Sequence, residues 1–231
     1  MPKIDKIISL LRKNYPDVTI ALNYSNPWEL LVAVILSAQC TDIMVNNVTG
    51  KLFKKYPKFE DYLNVSLKEF EQDIKSSGFY HNKAKNILNT AKIIKERHNS
   101  QVPQTMRELV TLSGVARKTA NIILNIAFDK SEGIAVDTHV LRLSQRLGFV
   151  ELAKISGKKK IEFIKSGRKK MDFIKDADPV KVEKELMEVI PKIIWKKISF
   201  LLITHGRLLC KSQNPKCISC FLNNLCLTSR V

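Results

Sequence analysis

No apolar run in this 231-residue chain is long enough to cross a bilayer: the longest, Leu30 to Leu36, falls far short of the roughly 20 residues required. A secretory pattern is missing too, because Lys3, Asp5, Lys6, Arg12 and Lys13 interrupt any hydrophobic stretch at the start. The expectation is an intracellular protein with no membrane contact, in the cytoplasm or nucleoid if the source is prokaryotic. Sustained period-two alternation is also absent, so no sheet is expected and the fold class reads as all-α. Acidic residues are few, 22 against 39 basic ones, for a formal net charge of +17. A polyanionic partner would account for that excess, since each neutralised phosphate releases condensed counterions. Arginine is scarce as well, only nine of those 39. A lysine-rich bias can equally reflect an AT-rich genome, so charge alone does not decide.

What remains is ordinary for a globular protein, 45% apolar and 26% charged, and long enough for one large domain or two small ones. Punctuation reads as helices almost throughout. Asn26-Pro27 opens an apolar helix through Leu36, buried on most sides. Thr41 caps the next, Ser66 with Glu69 and Thr105 with Glu108 form capping boxes, and Gly78 and Gly148 act as stops. Helices are expected over 82–98, 105–112, 117–128, 138–147, 180–190 and 195–209. Lys159-Lys160-Ile161-Glu162-Phe163-Ile164-Lys165 recurs as Lys169-Lys170-Met171-Asp172-Phe173-Ile174-Lys175. That duplication reads as a solvated insertion at about 151–177, with a basic DNA-contacting arm as the alternative.

Cys210, Cys217, Cys220 and Cys226 are spaced C-x6-C-x2-C-x5-C. Such close spacing lets one loop wrap a metal centre, and four thiolates suit either an iron–sulfur cluster or structural zinc. The spacing leaves those two open, and the lack of an export signal disfavours disulfides. Cys40 stands apart in an apolar stretch and reads as a small core residue.

The segment Leu112-Ser113-Gly114-Val115-Ala116-Arg117-Lys118 joins two helices through a short glycine turn. Such a turn presents backbone N–H groups at the positive end of the second helix, a place for a phosphate oxygen. A plain helix connection looks the same. Lys118 lies in that first turn, where an ammonium ion is disfavoured. It is therefore either merely exposed or held as a free amine, a nucleophile. Asp137 follows the apolar Ile134-Ala135-Val136 and is a helix cap, a carboxylate projecting into a cleft, or both.

These residues carry a resemblance. Leu112 to Asn121, Ile134 to His139, Leu36-Ser37-Ala38-Gln39-Cys40-Thr41-Asp42, Gly78 to Ala84 and the four-cysteine loop resemble, in order and separation, the endonuclease III family of helix–hairpin–helix DNA glycosylases. The likeness covers nearly the whole chain apart from the lysine-rich repeat. It implies two helical lobes with DNA bound in the cleft between them. One is a six-helix barrel over 21–130 with the hairpin at 112–118. The other, 1–20 plus 131–231, would hold a [4Fe-4S] cluster on the four cysteines. It implies a bifunctional enzyme of base excision repair that removes oxidised pyrimidines and cleaves the abasic site by β-elimination. Lys118 would be the nucleophile and Asp137 the catalytic carboxylate. Gln39 would fill the gap left by a flipped base and Phe79 would wedge the opposite strand. Ser113, Gly114, Val115, Ala116, Arg117 and His139 would contact DNA. The partner is double-stranded DNA with a damaged base or abasic site, and the protein acts as a monomer.

Two alternatives are a mismatch adenine glycosylase without lyase activity, which would lack the lysine, and a non-catalytic DNA-binding iron–sulfur protein. The family hairpin reads Leu-Pro-Gly-Val-Gly, so Ser113 and Ala116 depart from it. If Ala116 must take a positive φ, it strains the turn by roughly 1 kcal/mol.

Overall fold

The computed structural model describes residues 3–231. Eleven α-helices follow in chain order: α1 (Lys3–Asn14), α2 (Pro27–Leu36), α3 (Asp42–Lys55), α4 (Asp61–Asn64), α5 (Leu67–Asp73) and α6 (Tyr80–Arg97), then α7 (Met106–Leu109), α8 (Arg117–Ala127), α9 (Thr138–Arg146), α10 (Pro179–Val189) and α11 (Trp195–Leu208). Between α9 and α10 lie two strands, β1 (Lys160–Lys165) and β2 (Arg168–Ile174). Most starts are dictated locally. The side chains of Asn26, Thr41, Ser66 and Asp178 accept from N–H groups in the first turns of α2, α3, α5 and α10. Thr105 accepts from the Glu108 N–H while its hydroxyl donates to Glu108 Oε2 at 2.6 Å. The helix it opens stops at Leu109, three residues short of the expected end.

The chain divides into two compact units. In Ala21–Glu132 the central element is α2, whose residues from Leu30 to Leu36 are all buried. It packs against α3, α6 and α8, and each large apolar side chain so buried contributes about 1.5–3 kcal/mol. An edge-to-face aromatic group, Trp28, Phe59, Tyr62 and Phe70, extends this core. The second unit comprises the described residues up to Ile20 with Gly133–Val231. There α11 packs on α9 and α1 around Ile7, Leu11, Val140, Leu143, Leu186 and Leu202.

The strands correct the all-helical expectation locally. The duplicated segment folds back on itself: β1 pairs antiparallel with β2, Lys165 opposite Arg168. Ser166 and Gly167 turn the chain with φ of 51° and 72°, the pair of positive angles that a two-residue hairpin turn needs. Alternation is disguised by a bulge between Ile161 and Glu162 and by consecutive burial of Asp172, Phe173 and Ile174. The insertion is therefore not simply solvated. Its basic residues Arg168, Lys169 and Lys170 are exposed, but Phe163, Asp172 and Phe173 are buried. Cys40 is half-buried and not in the core.

Candidate active site and cysteine centre

The hairpin between α7 and α8 is a tight turn. Val115 N–H donates to the Leu112 carbonyl at 3.2 Å, and the Val115 side chain is buried. Ser113 is half-buried, and its carbonyl accepts from Thr90 Oγ1 at 2.9 Å. Gly114 takes φ +75°, the left-handed region where a side chain is strained. A Cβ there would lie 2.8 Å from Asn86 Nδ2. Gly114→Ala is expected to cost about 1–2 kcal/mol from backbone strain, read as a lower thermal midpoint. An unchanged midpoint would mean that the turn has another conformation. Ala116, by contrast, sits at φ −88°, ψ 172°. The expected strain is absent because the left-handed position is that of Gly114.

Ala116 precedes α8 without any side-chain cap. The first-turn N–H groups, which a helix cannot satisfy itself, thus receive no side-chain cap from Ala116 and carry the positive end of the dipole. Arg117 and Lys118 are both exposed in that turn. In the same unit Gln39 and Phe79 are exposed, with φ of 52° and 49°. Phe79 is 66% exposed, and its carbonyl accepts from the Lys83 N–H at 3.3 Å.

In the other unit Asp137 caps α9. Its Oδ1 accepts from the His139 and Val140 N–H groups, each at 2.8 Å. The buried run Ile134 to Val136 leads into it, anchored where the Ser199 hydroxyl donates to the Ala135 carbonyl at 2.8 Å. Asp137 itself is half-buried. His139 is half-buried with Nδ1 3.3 Å from Arg142 Nη2, and Gly206 of α11 lets the two helices approach there, since a Cβ would meet that Nδ1 at 2.7 Å.

Cys210, Cys217, Cys220 and Cys226 line one hollow, with Leu147, His205 and Leu222 in its wall. None of these cysteines is in a disulfide. Burial, reinforced by the neighbouring thiols, pushes Cys220 up to about 11 and raises Cys226 as well. Donors nonetheless point at sulfur: Arg146 Nη1 at 3.3 Å from Cys210 Sγ and Leu222 N–H at 3.4 Å from Cys220 Sγ. Among the described residues no three His, Cys, Asp or Glu side chains are gathered as around a single metal ion.

The sequence pattern of HhH-GPD superfamily base excision DNA repair proteins matches residues 32–169. Endonuclease III of Bacillus subtilis is 44% identical over 226 residues, 98% of this chain and 92% of that protein. Its counterpart from Escherichia coli K12 is 38% identical over 221 residues, 96% of this chain and 93% of the other. The chain belongs to the endonuclease III family. Among solved structures, a trapped endonuclease III–DNA covalent intermediate superposes with a TM-score of 0.84 at 41% identity, covering all of this chain and 98% of that one.

Within this endonuclease III relative, the residues expected at the site divide between the units. Gln39, Phe79 and Ser113 to Lys118 lie in one; Asp137, His139 and the four cysteines lie in the other. The cysteines are brought together at one hollow, and Gly114 and Lys118 sit on one turn. Sequence reasoning missed Arg142, Arg146 and His205. Arg142 Nη2 donates to the Cys210 carbonyl at 2.9 Å, and His205 Nε2 lies 3.5 Å from Cys220 Sγ. Two arginines one helical turn apart lie on the polar side of an amphipathic helix, where sequence alone assigns them to solvent. No helix among the described residues is long and apolar enough to cross a membrane.

Proposed function

We infer that this chain is a bifunctional DNA glycosylase and abasic-site lyase of base excision repair, acting as a monomer on double-stranded DNA. The observation that carries the reading is an exposed amine, Lys118, in the first turn of an uncapped helix just after the Gly114 turn. A family relative has been solved as a trapped covalent intermediate with DNA, and an exposed amine is a group able to form such a bond.

An oxidised pyrimidine inside the duplex is out of reach, so the nucleotide is flipped outward. Unstacking costs a few kcal/mol per step, offset by Gln39 entering the gap and Phe79 wedging the opposite strand. The lone pair of the Lys118 Nζ attacks C1′ and the glycosidic bond breaks, its electron pair leaving with the base. Asp137 assists by stabilising positive charge on the sugar and moving the proton to be transferred. The nitrogen, having lost one proton, pushes its lone pair into C1′, the C1′–O4′ bond breaks and O4′ takes a proton, so that the sugar opens and a protonated Schiff base remains. Removal of a C2′ proton then expels the 3′ phosphate with the C3′–O electron pair, and water hydrolyses the imine to regenerate lysine. Backbone N–H groups of Ser113 to Arg117, other than the Val115 N–H already used within the turn, grip phosphate, and His139 adds a contact. Lys118 disfavours both the lysine-free adenine glycosylase and a purely DNA-binding role.

The cysteines fit a [4Fe-4S] cluster: four soft donors lining one hollow, and N–H groups aimed at sulfur. When bound, such a cluster ties four points of the C-terminal chain together. Incubation with an abasic-site duplex and borohydride is expected to give a stable protein–DNA adduct. Strand cleavage without any adduct would overturn the Schiff-base reading.

A further inference from the structure

We propose that Asp172 of the β-hairpin is a positioning residue for the four-cysteine centre, holding Arg146 against Cys210. The proposal rests on the cluster reading above.

Arg146 ends α9 with its side chain 2% exposed. Its Nε and Nη2 donate to the two Asp172 carboxylate oxygens at 2.7 and 2.6 Å. The remaining donors go to the cysteine loop: Nη1 to the Lys211 carbonyl at 2.8 Å and to Cys210 Sγ at 3.3 Å, Nη2 to the Ser212 carbonyl at 3.0 Å. A guanidinium has five N–H groups in a fixed plane, and every one is used. The plane cannot turn without breaking several bonds, so the carboxylate behind it sets what the front edge touches. Asp172 is the only carboxylate in that set.

The hairpin also reaches the chain beyond Cys226. Arg230 Nη2 donates to Asp172 Oδ2 at 3.2 Å, and its guanidinium lies 5.2 Å from the Phe163 ring. Lys165 Nζ donates to the Ser229 carbonyl at 2.8 Å. Phe173 covers Arg146 at 5.2 Å. The duplicated segment thus bears on both ends of the cysteine loop. Of its two equivalent acids, Glu162 is exposed and Asp172 buried, so the repeat has put one copy to a use the other lacks.

A cation donating to a ligand sulfur stabilises the electron-rich state of a cluster and raises its reduction potential. This separates two ways in which Asp172 can matter. If it acts only by its own negative charge, Asp172→Asn raises the potential. If it positions Arg146, the same change releases the guanidinium from Cys210 and the potential falls.

The test is voltammetry of the purified holoprotein beside iron analysis of the wild type. Asp172→Asn is expected to shift the midpoint to more negative potential, Arg146→Gln to do the same, and the double variant to go no further than Arg146→Gln. Asp172→Glu, which keeps the charge but displaces it by one methylene, should shift the same way by less and serves where Asp172→Asn does not accumulate folded. A rise, no shift, or additive shifts would overturn the positioning role. A wild type holding zinc or no iron would instead remove the cluster reading, a result the iron analysis gives independently of any variant.

Discussion

Lys118→Ala will yield no borohydride-trapped adduct and no strand cleavage at an abasic site, while still binding the same duplex. The expectation follows from where the side chain is. Lys118 is exposed, and the polar contacts of the turn are made by Leu112, Ser113 and Val115 and not by this amine. Truncation therefore leaves the fold intact, within about 0.5 kcal/mol as for other surface changes. Stability can even rise by a few tenths of a kcal/mol, because a cation is removed from the positive end of α8. Loss of the adduct without loss of folding or binding isolates the nucleophile. An adduct of undiminished yield in the variant would place the reacting amine elsewhere.

Asp137→Asn is the second large effect, and it separates two duties of one side chain. Asp137 Oδ1 holds the N–H groups of His139 and Val140. Asparagine caps helices about as well as aspartate, so α9 should start unchanged and the thermal midpoint should barely move. What disappears is the negative charge that faces positive charge developing on the sugar, and the capacity to move a proton. Base excision is expected to slow by about 10²–10⁴-fold, the usual contribution of a positioned acid–base group. Asp137→Ala should match that loss and in addition destabilise the protein by about 1 kcal/mol through the missing cap. Single-turnover excision beside thermal melting checks both. An asparagine variant of near wild-type rate would reduce Asp137 to a cap.

Much of the helical framework was legible because capping chemistry is local: Asn26, Thr41, Ser66, Thr105 and Asp137 each accept from an N–H two or three residues on. The glycine turn at 114 was legible for the same reason, and the family motifs fixed what kind of protein carries it. The hairpin was not. Its strands break alternation at the bulge after Ile161, and Asp172 occupies a buried position that any pattern of hydrophobicity assigns to solvent. Its burial makes sense only beside Arg146, 26 residues earlier. Ala116 misled in the opposite direction: comparison with the family pattern suggested strain, whereas its backbone is extended. Residues that act through partners distant in sequence leave little local trace.

Helix α9 carries Asp137 at its beginning and Arg146 at its last position, where the guanidinium grips the cysteine loop. Nine residues of helix make a stiff rod about 13 Å long at 1.5 Å per residue. One short helix therefore fixes both the carboxylate at its tip and the cation that touches sulfur, so the two ends share a single rigid support.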